Sequence, residues 1–538
     1  MMQDIGARVM RRLDKLRSDR TKHEDLWRDC LNHSFPVRAD GFYGEQYDAT
    51  ALQAKRAKLF DSTSTEAGRT LAASILSGVT PSNSRWFGLN VIGGEDNEDE
   101  EGWFDENAQT IWENIHASNY DAEAFECCLD LVGAGWFVLY IDADRQVGGY
   151  HFEQWPIHSC FLAASRAGGP ADTCYRPYTL TVEQCVATFG MNACSPSTQR
   201  KFTEGNLSDP VQVVHAIYPR ADGVENAARA KNMPFASCHI DVDTKAVLRE
   251  SGYQECPFVA PRWQVLQTTA YAIGPMFDAL PDVKALNRLV MMEDANTDMA
   301  VSGMWVAEDD GVLNPRTVKI GPRKIIVANS VDSIKPLQPA SNFNISFTKK
   351  EQLQASIRKT LMADQLQPQD GPAMTATEVH VRQALIRQLL GPIYGRMQAE
   401  WLQRMIERCF GLAWRAGILT PPPQSLANRS FRVTFTSPMA KAQKLEEVSA
   451  VQNTFTAVAQ TAAAKGDPSV WDNVDVDEGI RIIAEGNGAP AKIMRTEDQV
   501  AAARDQRQKA MQQAAAQQQQ QELLQPAAQE VAKNLATA

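Results

Sequence analysis

Between residues 348 and 415 two helical patterns meet across a segment that a helix cannot cross. Before it, Leu353, Ile357 and Leu361 recur at i, i+4 and i+8, one apolar face of a helix that Thr348 and Glu351 are spaced to cap. After it, a helical pattern runs from about Ala376 to Arg415. The joint between them, "DQLQPQDGPAMTATEVHVR", carries Pro368, Gly371 and Pro372, each of which opposes helix continuation. Thr375 and Glu378 stand three apart, the spacing of a capping box, with Met374 and Val379 placed for the accompanying hydrophobic staple. The sequence therefore separates two strong helices by a polar loop and marks where the second one starts. Gly391, Pro392 and Gly395 interrupt that second helix, and the missing amide of Pro392 predicts a kink there.

The preceding pattern fits an α+β, mainly α chain. Ile5, Val9, Leu13 and Leu16 keep helical spacing, with Arg8, Arg11, Arg12 and Lys15 between them as a solvated basic face. A second helix is expected in "FDSTSTEAGRTLAASILSGVTPSNSRWFGL", where Thr63 and Glu66 form a capping-box pair and Ala67, Leu71 and Ile75 an apolar stripe; Gly78 and Pro81 end it, and "RWFGLNV" reads as a strand. From about residue 133 to 265 the period changes to that of strands. "WFVLYID" and "YHFEQW" flank a turn at Gly148-Gly149, "VQVVHAIYP" alternates, and "CHIDVDTKAVLRESG" turns near Asp243-Thr244. A long helix follows in "LPDVKALNRLVMMEDANTDMAVSG", with Pro281 suited to its first turn and Val283, Leu286, Leu289 and Val290 as its apolar face. A compact strand-and-turn segment separates it from the helix bearing Leu353. Beyond "GILTPPP", a short strand is expected at 431–436 and helix from 438 to 495; the Ala/Gln-rich remainder is either an extended helix or disordered.

Charge and motif content narrow the function. A net charge of −11 and a pI near 5.4 argue against a basic groove that wraps nucleic acid. The first twenty residues are charged throughout, unlike a signal peptide, and no run approaches the ~18 apolar residues of a membrane span. Ten cysteines form no CxxC pair, which fits reduced thiols in a cytosol-like compartment. His151, His158 and Cys160 lie close in sequence but lack the further ligands of a zinc site, and His215 sits in a strand without a nucleophile motif. "EDNEDEEGWFDE" matches the opening of a calcium loop at Asn97, Asp99, Glu101 and Gly102, but Ala108 occupies the position that needs a bidentate Glu. Phosphate-loop, HExxH, GxSxG and dinucleotide fingerprints are missing. The expectation is therefore a protein that is not an enzyme, with no cofactor, no metal and no catalytic residues. An alternative is a metal-dependent DNA-processing enzyme.

Three segments, in order, resemble the portal or head-to-tail connector proteins of short-tailed bacteriophages: "LFDSTSTEAGRTLAASILSGVTPSNSRWFGL", "GPMFDALPDVKALNRL", and "MTATEVHVR" with "LLGPIYGRMQAEWLQRMIERCFG" after it. The chain departs from the family pattern at "YAIGP", residues 271–275, and around Gly303-Met304. The resemblance implies a portal fold of wing, stem, clip and crown, with another phage structural ring such as a tail adaptor as the alternative. Residues 1–275 would be an N-terminal helical and β-rich wing region, 276–303 the first stem helix, 304–340 the clip and 345–363 the second stem helix. Residues 364–374 would be a tunnel loop, 375–437 the long kinked helix and return to the wing, 438–495 the crown and 496–538 the tail. It implies a ring of twelve copies at one capsid vertex of the virion, assembled in the host cytoplasm. The ring would meet the terminase large subunit, tail adaptor, major capsid and scaffolding proteins, and pass double-stranded DNA without sequence specificity. In that reading Asp364, Gln365, Gln367, Gln369, Asp370, Gly371 and Pro372 face DNA. Lys349, Lys350 and Arg358 line the stem or its subunit interface, and Arg316, Lys319, Arg323 and Lys324 dock clip partners or guard a strand edge.

Overall fold

A computed structural model describes residues 2–366 apart from 43–47, 84, 92–97, 145–146, 303, 308–333 and 338–342; then 391–435 apart from 424–425 and 427–430; 438–486 apart from 467; and 500–510 apart from 501 and 508. The chain divides into two compact units, Met1–Phe435 and Thr436–Ala538.

In the first unit the helices are α1 (Met2–Ser34), α2 (Ala49–Arg56), α3 (Thr63–Val79), α4 (Glu98–Ala117), α5 (Tyr120–Ala134), α6 (Val182–Phe189), α7 (Pro196–Thr203), α8 (Pro275–Ser302), α9 (Phe343–Thr360), α10 (Ala363–Leu366), α11 (Gly391–Met397) and α12 (Gln403–Arg415). Strands β1 (Phe87–Val91), β2 (Val138–Ala143), β3 (Tyr150–Trp155), β4 (Phe161–Ala163), β5 (Thr173–Thr181), β6 (Pro210–Pro219), β7 (Phe235–Asp241) and β8 (Val247–Tyr253) come first. They are followed by β9 (Phe258–Val259), β10 (Gln264–Val265), β11 (Ala272–Ile273), β12 (Met304–Ala307), β13 (Ile334–Leu337) and β14 (Phe431–Phe435).

The β-rich stretch expected from strand periodicity is an antiparallel five-stranded meander, β4-β5-β6-β7-β8. Alternation along β6 explains how it packs. Val214 and Ala216 face the first half of α1, against Val9, Met10 and Leu13, while Val211 and Val213 face α6 with Val182 and Leu248. Both expected hairpins are present, β2 with β3 and β7 with β8, the second turning through Lys245 at a φ of 56°. The second half of α1 enters a different core, where Trp27, Cys30 and Leu31 join Ile75, Leu131, Trp136, Met276 and Trp401. One helix therefore ties the meander to the main body. Arg20, 2% exposed at the point where α1 passes between the two cores, pairs with Glu24 at 2.6 Å. It also donates to the carbonyls of Ile157 and Cys160 at 3.1 and 2.8 Å.

Several helix starts differ from expectation. Thr63 is not a cap: α3 begins on it, and its amide is held at 2.8 Å by the Asp61 carboxylate two residues earlier. Helix α9 begins at Phe343, which puts Thr348 inside it instead of at its end. Helix α8 begins at Pro275, so Pro281 lies in its second turn. Pro392 is the second residue of α11, and the residues before Gly391, where a kink at Pro392 would show, lie outside the described ones; a separate π-helical turn, Gln398–Leu402, stands between α11 and α12. The expected strand near residue 431 is β14, and its partner is β1, paired antiparallel from Phe87↔Phe435 to Val91↔Phe431.

The second unit holds α13 (Pro438–Lys465), a 3-10 turn Pro468–Asn473 and α14 (Val476–Gly486). The Asp475 carboxylate caps α14, accepting from the amides of Asp477 and Glu478 at 3.1 Å each. Gly479 lets α14 approach α13 closely, because a Cβ there would stand 2.2 Å from the Phe455 ring. Among the described residues, no helix is long and apolar enough to cross a membrane.

Candidate functional site: the paired helices and their mounting

Helices α8 and α9 are antiparallel partners joined at their far ends by the ribbon β12–β13, paired from Met304↔Leu337 to Ala307↔Ile334. The buried face of α8 is Met276, Ala279, Leu280, Val283, Leu286 and Val290, a helical stripe in which Leu289, expected inside, is only partly covered. On α9 the buried residues are Leu353 and Ile357, with Leu361 just beyond the helix end, as their spacing predicts.

The base of α8 is fixed by the segment 271–275. Tyr271, Trp27 and Trp136 form a mutual aromatic contact with centroids 5.1 to 5.3 Å apart. The Trp27 indole donates to the Ala272 carbonyl at 2.8 Å, and the Tyr271 hydroxyl accepts from the Leu162 amide at 3.0 Å. Gly274 then passes the C-terminal end of α5 so closely that a Cβ would lie 2.5 Å from the Val132 carbonyl. Gly135, at a φ of 89°, ends α5 in the left-handed region and leaves the same gap open from the other side.

Two residues that the sequence reading passed over hold the helix pair in register. Asn287 on α8 accepts from the Phe60 amide and donates to the Lys58 carbonyl, both at 2.7 Å. Asp61 not only holds the start of α3 but also accepts from Gln354 of α9 at 3.0 Å. Ser64 and Thr65 donate to the carbonyls of His33 and Ser34 at 2.7 and 2.8 Å, stitching α3 to the end of α1. The "DSTST" stretch is thus a junction at which α1, α3 and α9 meet. Its signal in the sequence was the density of short polar side chains at a helix start, which compete well for nearby backbone groups.

Between the two helices, Ser356 donates to Asp282 at 2.6 Å, Ser346 donates to Glu293, and Lys350 reaches Glu293 at 3.4 Å. Lys350 therefore has a partner within its own chain. Lys349 is exposed and Arg358 half-buried, and neither has an acidic partner among the described residues. Asp278, Asp294 and Asp298 are exposed along α8, as are Met291 and Met292 at 45% and 50%; Phe347 on α9 is 61% exposed. Past Met362, at a φ of 57°, the chain makes the short helix α10, so Asp364 and Gln365 are helical where a loop was expected, with Asp364 exposed. Gln367, Gln369, Asp370, Gly371, Pro372, Thr375 and Glu378 lie outside the described residues, as do Arg316, Lys319, Arg323 and Lys324. Gly391 begins α11, followed by the backbone of Pro392.

Two strand histidines, His215 and His239, are packing groups. His215 and His239 stack across β6 and β7 with centroids 4.0 Å apart, hydrogen-bonded to Ser237 at 2.9 Å and Tyr178 at 3.1 Å. Burial holds His239 down to about 4 and His215 well below its ordinary value, so both are neutral near pH 7. Among the described residues no group of His, Cys, Asp and Glu could hold a metal ion.

Comparison with known proteins bears on this arrangement as a whole. The portal protein of Salmonella phage epsilon15 is 27% identical over 529 residues, covering 95% of this chain and 92% of that protein. A protein of Bordetella phage BPP-1 named "Probable portal protein" is 29% identical over 519 residues, covering 93% and 90%. A chain from a structure titled "Virion of native gene transfer agent (GTA) particle" aligns at 11% identity and a TM-score of 0.36, over 78% of this chain and 94% of its own. The family model described as "Bacteriophage head to tail connecting protein" matches residues 7–494, which takes in the meander, both paired helices and the α13–α14 unit; the chain belongs to that family.

Proposed function

We propose that this protein is a structural subunit of the portal ring of a short-tailed phage, a virion component at one capsid vertex through which DNA is packaged and later ejected. The observation that carries the reading is the family match across residues 7–494, on a chain whose α8–α9 pair is mounted rigidly at its base and left exposed on its outer side. In this reading α8 and α9 are the stem helices, β12–β13 is the described part of the clip, and 364–374 is the tunnel loop. Twelve copies surround the channel, the clip meets the terminase large subunit and afterwards a tail adaptor, and capsid and scaffolding proteins contact the rim.

Physical chemistry supports the assignment. A conduit must not hold its cargo, and every phosphate neutralised by Lys or Arg strengthens a salt-dependent grip. Exposed Asp278, Asp294 and Asp298 outnumber the exposed cations Lys284 and Arg288 on α8, which suits sliding. Because Lys350 is occupied by Glu293, the guiding role among the stem candidates passes to Lys349 and Arg358. Met291, Met292 and Phe347 are large apolar groups that a neighbouring copy would cover.

Electron microscopy of the purified protein tests the ring: class averages should show closed particles with a central channel, and a monomer or small dimer would overturn the reading. For the loop, replacing Gly371-Pro372 with Ala-Ala extends helix into it, and DNA packaging or retention in particles should fall. Rings that form and package normally with that change would remove the loop from the channel.

A further inference from the structure

Cys185 and Cys194 lie nine residues apart in sequence, one on α6 and the other just after the 3-10 turn Met191–Ala193, and their sulfurs are 3.8 Å apart. We propose that this pair is a site of disulfide formation, closing when the folded protein meets a small-molecule disulfide such as oxidised glutathione. The inference is independent of the ring reading.

The surroundings hold both ends of the would-be bond in place. Helix α6 starts in a complete capping box between Thr181 and Gln184, and Ser195 caps α7. Gln199 reaches back from α7 to the carbonyls of Met191 and Cys194 at 3.0 and 2.9 Å, fixing the connecting turn. A disulfide has a sulfur separation of about 2.05 Å, so closure needs a movement of roughly 2 Å, within reach of rotation about two Cα–Cβ bonds and a small shift of the turn. Val182, Val211, Val213 and Leu248 form one buried cluster with the pair.

Location separates this pair from the other cysteines. Cys127, Cys128, Cys160, Cys174 and Cys409 sit in the main core, each fully buried. Cys185 and Cys194 lie under a single thin layer: Gln184, Ala187, Thr188, Asn192 and Pro196, their neighbours in sequence, are all exposed. A local opening of one eight-residue helix admits a small oxidant, whereas the core cysteines need a much larger unfolding.

The reaction balances as two exchanges. One protein sulfur attacks the glutathione disulfide, forms a mixed disulfide and expels one glutathione thiolate. The second protein sulfur attacks the first, forms the Cys185–Cys194 bond and expels the other. The two protons lost by the cysteines end on the two expelled thiolates, so two protein thiols are oxidised and one glutathione disulfide is reduced. Burial and the neighbouring Cys194 push the Cys185 thiol up to about 12, and burial raises Cys194 as well. The rate should therefore climb about tenfold per pH unit through the neutral range, as the thiolate fraction does.

The test uses the full chain, purified reduced and then exposed to oxidised glutathione without denaturant. After unfolding and capping with iodoacetamide, cleavage after glutamate yields residues 184–204, which contain Cys185 and Cys194 and no other cysteine. The expected result is a fragment two hydrogens lighter that takes up no iodoacetamide, while Cys127, Cys128, Cys174 and Cys409 remain capped. A fragment carrying two caps, one that stops at the glutathione adduct, or prior linkage of the core cysteines overturns the proposal.

Discussion

The main body and the helix pair use charge in opposite ways. In the body, several charged groups are buried and held by more than one bond. Arg262 of the segment before α8 grips Glu400 in the π-helical turn with two bonds, at 2.7 and 3.1 Å, and its side chain is 3% exposed. Arg408 donates to the Ile141 carbonyl at 3.3 Å and to Glu255 at 3.1 Å, and Arg415 holds the same Glu255 at 2.6 and 2.7 Å. Burial pushes the Glu255 carboxyl up, but the two guanidiniums outweigh it and hold it below its ordinary range. Along α8 and α9 the ionic contacts are half-exposed and made by single bonds, as between Lys350 and Glu293. The first arrangement fixes geometry, since a guanidinium fork fits a carboxylate in one orientation. The second leaves surface available to something outside the chain.

Breaking that contrast should cost most in the body. Replacing Arg262 with Ala strands the Glu400 carboxylate in the interior and should destabilise the protein by about 3–5 kcal/mol, the usual cost of removing one partner of a buried pair. Urea denaturation followed by tryptophan fluorescence measures it, and a loss below ~1 kcal/mol would place the pair among ordinary surface contacts.

The stacked histidines should give the next largest effect, through pH. His239 has a folded pKa of about 4 against 6.5 unfolded, so the unfolded chain binds its proton first. Its contribution is complete above pH 6.5 and is lost as pH falls toward 4, on the order of 3 kcal/mol. Arg176 and Arg249 face the pair and oppose added positive charge, and Tyr178 bonds His239. Comparing the urea midpoint at pH 7 and pH 4.5 in the parent and in His239→Gln isolates this term from the titrating carboxylates. An equal pH slope in both would refute it.

The smallest effect is expected in the stem. Lys350→Ala should change stability by less than about 1 kcal/mol, since half-exposed pairs contribute little. If it cost as much as Arg262→Ala, the helix pair would have to be counted with the rigid body.

The sequence was most legible where contacts are local. Leu353, Ile357 and Leu361 announced a buried face by spacing alone, and Gly148-Gly149 and Asp243-Thr244 marked hairpins that the structure contains. Helix starts were less legible, because several short polar residues compete for the same amides: Thr63 had the spacing of a cap, yet Asp61 was better placed to hold the helix. Long-range partners left no trace in any window. Nothing near Arg262 signals Glu400, 138 residues later, and nothing near Asp61 signals Gln354. At the candidate site, Lys350 was singled out through the family resemblance, while Asn287 and Asp61 were missed because their roles depend on a fold that periodicity cannot describe.

The pairing of β1 with β14 has a consequence for how the molecule is made. Phe87–Val91 can find its partner only after Phe431–Phe435 has been synthesised. At about 5–20 residues per second that is a wait of roughly 20–70 seconds after the first strand leaves the ribosome. During that interval β1 presents backbone donors and acceptors with no native mate, the condition under which strands join the wrong chain. Every nascent copy in a crowded host cell thus passes through a period when its own late-arriving segment competes with its neighbours. Chaperone demand should track that delay, and supplying the segment containing Phe431–Phe435 early, by circular permutation, should shorten it.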